Sequence, residues 1–204
     1  MTSFIDFLYA IYEISPSSIT KQLTGGTAER SVHWVLRRLP RDFTVFHNVL
    51  LPNSQQDGYS QIDHLVVSRY GIFCIETKGW TGKVSGNSTD DYLSVLYGHH
   101  RYYPYNPFVQ NQSHIRTLNH ILDPYLTVPI IPLVVFPQAV QVKLRHSTGM
   151  TSLKELVKTI QSYTDTVYPD DTVKRIISII QQYNSAHNPT VVKDHQKRVA
   201  LLHG

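Results

Sequence analysis

The sequence predicts an α/β protein in which one mixed β-sheet is flanked by helices. Apolar stretches that suit buried strands are interspersed with stretches in which apolar residues recur every three or four positions, as in amphipathic helices. In chain order these segments read as a helix, three strands, a helix, a strand and further helices, which indicates a layered arrangement. The 204 residues are 41% hydrophobic and 17% charged, which suits a single domain with a well-formed core.

The first residues predict a short amphipathic helix rather than a targeting segment. Residues 4–12 are mostly apolar but include Asp6 and lack a basic leader. They also fall far short of the roughly 20 residues that cross a bilayer. We expect this helix, with a linker up to residue 23, to dock on the body or on a partner, and it could serve a homodimer. We therefore expect no membrane segment and a cytoplasmic location.

An amphipathic helix and three strands are predicted next. Residues 28–39 carry an apolar stripe at helical spacing, and the helix should end at Pro40. Residues 43–50 alternate enough to form a strand. Residues 60–67 and 71–78 read as two further strands joined by a short turn.

The second half of the chain mixes loops, helices and strands. The predicted elements are short hairpins and loops over 81–107, a helix over 106–122, strands over 129–136 and 140–144, and helices over 152–163 and 170–183. The strand over 129–136 is apolar throughout, which predicts a central position in the sheet. Residues 24–147 are predicted to form the core, and residues 148–204 a helical extension with a basic tail.

Charged side chains occur in two predicted strands, where burial would be costly unless something compensates them. They are Asp63 in the first strand of the hairpin, and Glu76 and Lys78 at the end of the second. If the connecting turn has two residues, strand pairing places Asp63 directly opposite Glu76. Gln61 then faces Lys78, and all four side chains share one face. A loop one residue longer would place the two carboxylates on opposite faces.

This arrangement suits metal-assisted hydrolysis of a phosphodiester. Two carboxylates on Cβ atoms about 5 Å apart repel each other unless a cation bridges them. Oxygen ligands suit Mg²⁺, for which Mn²⁺ is expected to substitute. Asp63, Glu76 and the backbone carbonyl of Thr77 are the candidate ligands. Lys78 would orient or help to deprotonate the attacking water. From spacing alone, a simple ion pair of Lys78 with either carboxylate explains the same residues.

Five motifs carry a family resemblance. They are Gly-Thr-Ala-Glu-Arg at 26–30, Asn-Val-Leu-Leu-Pro at 48–52, Gln-Ile-Asp-His-Leu-Val-Val-Ser at 61–68, Gly-Ile-Phe-Cys-Ile-Glu-Thr-Lys at 71–78 and Asn-Pro-Phe-Val-Gln-Asn at 106–111. In this order they resemble the nuclease-related domain, NERD, a branch of the PD-(D/E)XK nuclease superfamily, over residues 24–136. The resemblance implies a restriction-endonuclease-like αβββαβ core with Asp63, Glu76 and Lys78 as the catalytic set.

The resemblance also implies roles for two helical residues. Glu29 matches a helical Glu that assists the metal in related nucleases, although it could instead be an acid favoured by the helix dipole. Gln110 matches the first position of a Gln-x-x-x-Tyr motif in relatives, and His114 stands where the Tyr would be. Gln110 alone is carried over as a site residue, and it could instead cap or solvate its helix.

The predicted function is therefore Mg²⁺-dependent hydrolysis of phosphodiester bonds in nucleic acid, with DNA as the expected substrate. The alternative is a catalytically inert module that keeps the nuclease fold and binds DNA or a protein. The net charge of +4 permits a polyanionic partner without requiring one.

Three other features have less specific interpretations. Cys74 is the single cysteine and is expected to be a small buried apolar residue. The Tyr, His and Arg residues over 97–105 could stack and contact single-stranded nucleic acid, or they could form a partly buried loop at a sheet edge. Lys193, Lys197 and Arg198 could contact phosphates or remain solvated.

Overall fold

The computed structural model describes residues 26–53, 58–126 and 128–203. The predicted N-terminal helix lies outside the described residues, and the homodimer that it could serve therefore stays a prediction. In chain order the elements are α1 (Gly26–Leu36), β1 (Thr44–Asn53), β2 (Gly58–Ser68), β3 (Gly71–Thr77), β4 (Lys83–Asn87), β5 (Ser94–Tyr97), β6 (His100–Tyr102), α2 (Pro107–Leu122), a 3₁₀ turn (Asp123–Tyr125), β7 (Ile131–Val135), β8 (Gln141–Arg145), β9 (Met150–Thr151), α3 (Leu156–Gln161), α4 (Asp170–Tyr183) and α5 (Pro189–His203).

The main sheet is mixed, as predicted, with strand order β1-β2-β3-β7-β9. Its first three strands are antiparallel, whereas β7 runs parallel to β3 and β9 runs parallel to β7. The apolar strand over 129–136 is confirmed as β7, and it lies inside the sheet between β3 and β9. The mixed α/β architecture with flanking helices is therefore confirmed.

A second sheet was not predicted. It has four strands in the order β6-β5-β4-β8. Three of them come from residues 81–107, which were expected to form hairpins and loops. The fourth, β8, pairs in parallel with β4 although the two are far apart in sequence. The antiparallel pairing of β4, β5 and β6 agrees with the short hairpins expected there, whereas the non-local pairing with β8 leaves no local pattern from which the whole sheet could be recognised.

Several helix boundaries differ from the prediction. The helix predicted over 28–39 ends at Leu36 and continues as turns towards Pro40. The helix predicted over 152–163 is only Leu156–Gln161, because Ser152 begins a turn in which its hydroxyl accepts from Glu155 N–H at 3.2 Å. Helix α4 has the predicted bounds. The tail expected to be weakly helical forms α5.

Helices pack on both faces of the main sheet. On one face, α2 and α4 contribute Leu118, Leu122, Ile176 and Ile180 to a fully buried cluster with β1, β2 and β3. On the other face, α1 and α3 bury their apolar residues against β2, β3 and β7. A third cluster, which includes Trp80, packs the second sheet against Phe108 of α2 and the end of β7.

In the middle of β1 and of β2, the alternation of side chains between the two faces of the sheet is interrupted, and this point is called the change of phase below. Ile62 lies in the same cluster as Leu65, and Val49 lies in the same cluster as Phe46, although strict alternation would place each pair on opposite faces. The change occurs at Asn48, a left-handed residue with φ of 50°. Pairing resumes on both sides, at His47–His64 and at Val49–Ile62. Asp63 lies in β2 at this change of phase.

Candidate functional site

The turn between β2 and β3 has two residues, Arg69 and Tyr70, which meets the condition on which the expected pairing of the two strands depended. Ser68 pairs with Gly71, and the Ser68 hydroxyl accepts from Tyr70 N–H at 3.1 Å. A side chain at Gly71 would meet Ile131 at 2.9 Å, and φ there is +148°, so glycine suits the close turn. The predicted register is confirmed as far as the last pair, His64–Ile75.

Asp63 and Glu76 come next in that register, at the point where the two strands separate. The predicted pairing of Gln61 with Lys78 is wrong. Lys78 N–H donates instead to the carbonyl of Val135 on β7 at 2.9 Å. Gln61, which lies beyond the change of phase, donates from its amide to Asn48 Oδ1 at 2.8 Å. The separation of the strands opens a space between their ends.

Asp63 is held by the backbone of the neighbouring strand. Its Oδ2 accepts from Thr77 N–H at 2.7 Å. Burial raises the pKa of this carboxyl well above its usual range, and the negative charges of Glu76 and Glu29 raise it further. The Thr77 hydrogen bond and the Lys78 ammonium offset only part of that effect.

Glu76 is buried, with 1% of its surface exposed, and is flanked by two basic side chains. Its Oε1 lies 2.7 Å from Lys78 Nζ, and its Oε2 lies 3.3 Å from His114 Nε2. The geometry of the His114 contact falls short of a hydrogen bond, so Oε2 has no well-aligned donor. Burial acts to raise the pKa of Glu76, but Lys78 and His114 outweigh it and lower the pKa.

Lys78 connects the strand to helix α2. Its ammonium also donates to Gln110 Oε1 at 2.9 Å. Burial acts to lower the pKa of Lys78, but the carboxylates of Glu76, Asp63 and Glu29 raise it overall. The side chain therefore remains a cation at neutral pH, and Gln110 fixes its position.

Glu29 reaches the same cavity from the first turns of α1. Burial raises the pKa of its carboxyl, the charge of Glu76 raises it further, and Lys78 lowers it. The three carboxylates Glu29, Asp63 and Glu76 thus lie close enough to influence one another, and one ammonium, that of Lys78, lies among them.

His114 is a site residue that was not carried over from the sequence. It lies on α2 one turn after Gln110, and its Nδ1 is 2.6 Å from the hydroxyl of Ser60 on β2. Ser60, His114 and Glu76 therefore form a continuous chain of polar contacts. The Gln-x-x-x-His spacing was the available signal, because residues four apart share one helical face.

The charged residues line a cavity of about 800 Å³. Besides the site residues, its wall includes Tyr59, Trp80 and Tyr105. Helix α5 contributes His195 and Val199, which no motif in the sequence indicated. Burial lowers the pKa of His195.

The donor set at this cavity consists mainly of oxygen atoms. Within the described residues, no group of three or more His, Cys, Asp or Glu side chains is arranged to hold a metal ion. Mg²⁺ commonly uses only one or two carboxylates and keeps several waters. Three carboxylates near one lysine leave an excess of negative charge. This excess is one reason why the pKa of Asp63 is raised. Together with the poorly satisfied Glu76 Oε2, this excess fits a hard divalent cation.

The remaining sequence candidates are accounted for individually. Cys74 is a free, buried thiol, as expected. Residues 97–105 include strand β6 and form part of the second sheet, and Tyr105 faces the cavity. Lys193, Lys197 and Arg198 are exposed on α5. None of the helices in the described ranges is long and apolar enough to span a membrane.

The mixed sheet with flanking helices is consistent with a nuclease-like α/β fold, and the sequence comparisons give the family. The family model for the nuclease-related domain matches residues 24–137. The chain belongs to this family, and its assignment to the PD-(D/E)XK superfamily is consistent with the match. An uncharacterized protein of Bacillus anthracis is 30% identical over 185 residues, which cover 88% of this chain and 84% of that protein. No solved structure matches the chain significantly.

Proposed function

We propose that this chain is a metal-dependent nuclease that hydrolyses phosphodiester bonds of DNA. The observation that carries the proposal is the contact of Lys78 with both Glu76 and Gln110, at 2.7 and 2.9 Å, in a cavity that Asp63 also lines. An ion pair on the surface would need neither the burial of Glu76 nor the support of α2.

Asp63, Glu76 and the carbonyl of Thr77 are the proposed ligands of Mg²⁺, with Glu29 assisting, and Mn²⁺ is expected to substitute. When bound, such an ion would lower the pKa of a water molecule and offset charge on the phosphate. The excess negative charge of the cavity supports this assignment. Two carboxylates and a backbone oxygen satisfy the modest protein ligation that Mg²⁺ requires.

Lys78 is proposed to orient the attacking water and to stabilise charge on the phosphate. Its raised pKa favours these cationic roles over that of a general base, because a base must lose its proton near the working pH. Gln110 holds the ammonium in place. A fixed donor stabilises a transition state better than one that must reorganise.

His114 and Lys78 together keep Glu76 ionised in spite of its burial. His114 is in turn fixed by Ser60. This chain of contacts would keep the Glu76 carboxylate directed at the cavity.

Cleavage of plasmid and of single-stranded DNA with Mg²⁺ or Mn²⁺ tests the proposal. We expect Lys78→Gln to reduce the cleavage rate by about 100-fold or more, the usual effect of removing one donor that stabilises the transition state. Lys83→Gln is the matched control, because Lys83 is an exposed lysine at the start of β4. Thermal unfolding of both variants checks that they are folded. Equal cleavage by wild type and Lys78→Gln would refute the assignment.

An inert nuclease-fold module that binds DNA or a protein is the second candidate. This candidate is favoured by the two basic neighbours of Glu76, because they offset part of the negative charge of the site without a metal ion. Calorimetric titration with Mg²⁺ or Mn²⁺ separates the two candidates. Heat that disappears in Asp63→Asn supports the nuclease, whereas no heat, or heat unaffected by that substitution, supports the inert module.

A further inference from the structure

We propose that Tyr105 and Tyr92 form a platform on which an unpaired base of the substrate stacks, so that the DNA enters the cavity as a single strand. This inference rests on the proposed nuclease function and names the substrate class of the same site. The two residues are called the tyrosine platform below.

The platform is exposed and adjoins the cavity. Tyr92 and Tyr105 are 57% and 43% exposed, and their ring centroids lie 6.1 Å apart at an interplanar angle of 78°. Tyr105 and its neighbour Pro104 line the cavity, as does Lys78. Large aromatic side chains that remain exposed in contact with each other at the edge of a concave site indicate a binding surface.

The backbone holds the platform rigidly. Tyr92 and Tyr105 form an antiparallel bridge, which is flanked by hydrogen bonds from Leu93 N–H to the carbonyl of Pro104 and from Asn106 N–H to that of Asp91, at 3.0 and 2.9 Å. A base that stacks here would order little further structure, and such preorganisation favours affinity.

Asn106 connects the tyrosine platform to helix α2. Its buried side chain donates to the carbonyls of Asn87 and Ser88, both at 3.2 Å, and to that of Asp90. Its Oδ1 accepts from Phe108 N–H at 3.0 Å and so caps α2. Because α2 also carries Gln110 and His114, Asn106 fixes the position of the tyrosine platform relative to the charged residues of the cavity.

The chemistry of the surface favours an unpaired nucleotide. Lys78, together with the divalent ion that the nuclease proposal places at the carboxylates, would attract a phosphate, while the platform offers an aromatic face to the attached base, and stacking of this kind tolerates any base. The bases inside a duplex are already stacked on both faces, and only its two terminal base pairs leave a face for a tyrosine. A cavity of about 800 Å³ has the size of pockets that enclose a small molecule, which suits a short length of strand.

Binding of fluorescently labelled DNA, measured by anisotropy in EDTA and again with Ca²⁺ to offset the charge of the carboxylates, tests this inference without relying on cleavage. The probes are a single strand, the blunt duplex of the same sequence, and a single strand of abasic sites. We expect wild type to bind the single strand more tightly than either of the others. Tyr105→Ala should weaken binding of the single strand by about 5- to 100-fold, the effect of losing one stacked base. It should leave the abasic strand unaffected, and Tyr105→Phe should retain the affinity.

Tyr183→Ala is the matched control, since Tyr183 is 44% exposed on α4 and does not line the cavity. Thermal unfolding establishes that each variant is folded, and Tyr92→Ala provides a second probe of the platform. Equal affinity for single strand and duplex, no effect of Tyr105→Ala, or no DNA binding by wild type would overturn the inference. If stacking is confirmed but no divalent ion supports cleavage, the nuclease proposal fails while the binding site stands.

Discussion

At the scale of single residues, the two central carboxyls differ because their neighbours differ. Asp63 has a backbone N–H and two negatively charged neighbours, and its pKa is raised. Glu76 is more deeply buried but has Lys78 and His114 beside it, and its pKa is lowered. Burial acts in the same direction on both side chains, so local charge decides the outcome. Asp63 is therefore the carboxyl that most needs a counterion.

Asp63→Asn is expected to stabilise the metal-free protein while abolishing metal binding. The amide oxygen can still accept from Thr77 N–H, and the repulsion by Glu76 and Glu29 disappears. Removing one strained charge commonly contributes about 1 kcal/mol, which corresponds to a rise in melting temperature of roughly 2–4 °C for a chain of this size. Thermal unfolding at neutral pH in EDTA measures the change.

The pH dependence of stability gives an independent check of Asp63. Because its pKa is higher in the folded state than in the unfolded state, the metal-free protein should lose stability as the pH rises from the ordinary Asp value through the raised pKa. Glu76 acts in the opposite direction, since its contribution is lost as the pH falls through its lowered pKa. Asp63→Asn should reduce the first dependence, to which the raised pKa of Glu29 also contributes, whereas Asp42→Asn, at an exposed position, should not. Identical profiles for Asp63→Asn and wild type would contradict this account.

At the scale of elements, the change of phase in β1 and β2 separates a packing region from a functional one. On one side of this point, the side chains of β1 alternate between the two helical layers. On the other side, Ser60 and Ile62 of β2 both lie on the side of α2, where Ser60 contacts His114. A strand that kept strict alternation would direct Ser60 to the opposite face. The left-handed Asn48 allows both strands to change together without losing their register.

Asn48→Gly and Asn48→Val should therefore differ in stability. Both remove the hydrogen bond from Gln61, but glycine accepts a φ of 50° easily, whereas a β-branched residue there is strained by about 1–3 kcal/mol. We expect Asn48→Val to unfold at a clearly lower urea concentration than Asn48→Gly. The comparison reports on the backbone conformation at position 48, because the hydrogen bond from Gln61 is absent from both variants. Equal midpoints would show that the left-handed conformation is not required.

At the scale of the whole molecule, the cavity draws its wall from elements that are distant in sequence. Glu29 comes from α1, Asp63 from β2, Gln110 from α2 and His195 from α5. The main sheet supplies two of the three carboxylates, Asp63 and Glu76, and the connection from the second sheet to α2 supplies Tyr105. Binding of an ion at the shared cavity should therefore stabilise the folded chain as a whole.

Mg²⁺ or Mn²⁺ is expected to raise the melting temperature of the wild-type protein. A ligand at 100 times its dissociation constant stabilises the folded state by about 2.7 kcal/mol, which corresponds to a rise of roughly 5–10 °C for a chain of this size. Asp63→Asn should show no such rise, and KCl at matched ionic strength controls for screening of the charges. An equal rise in wild type and Asp63→Asn would place any bound ion elsewhere.

The sequence by itself determined the features that depend on neighbouring residues. The sequence indicated a short turn between β2 and β3, and the two-residue alternative, which the structure shows, brings Asp63 close to Glu76. The bounds of α4 followed from local residues, with Pro169 immediately before the helix and Asp170 and Asp171 in its first turn. The apolar character of β7 indicated its interior position, because a strand covered by helices on both faces carries few polar residues. The motifs over residues 24–136 indicated the family.

Only the tertiary structure decided which distant segments meet. The parallel pairing of β4 with β8, the approach of α5 to the cavity and the contact of Ser60 with His114 all join residues far apart in the chain. The pairing of β2 with β3 also stops at His64–Ile75, so Gln61 does not pair with Lys78 although both line the cavity. Contacts of this kind depend on how packed layers close around a shared core, and short-range patterns carry no information about them. The sequence thus indicated the catalytic candidates, and the packing decided their partners.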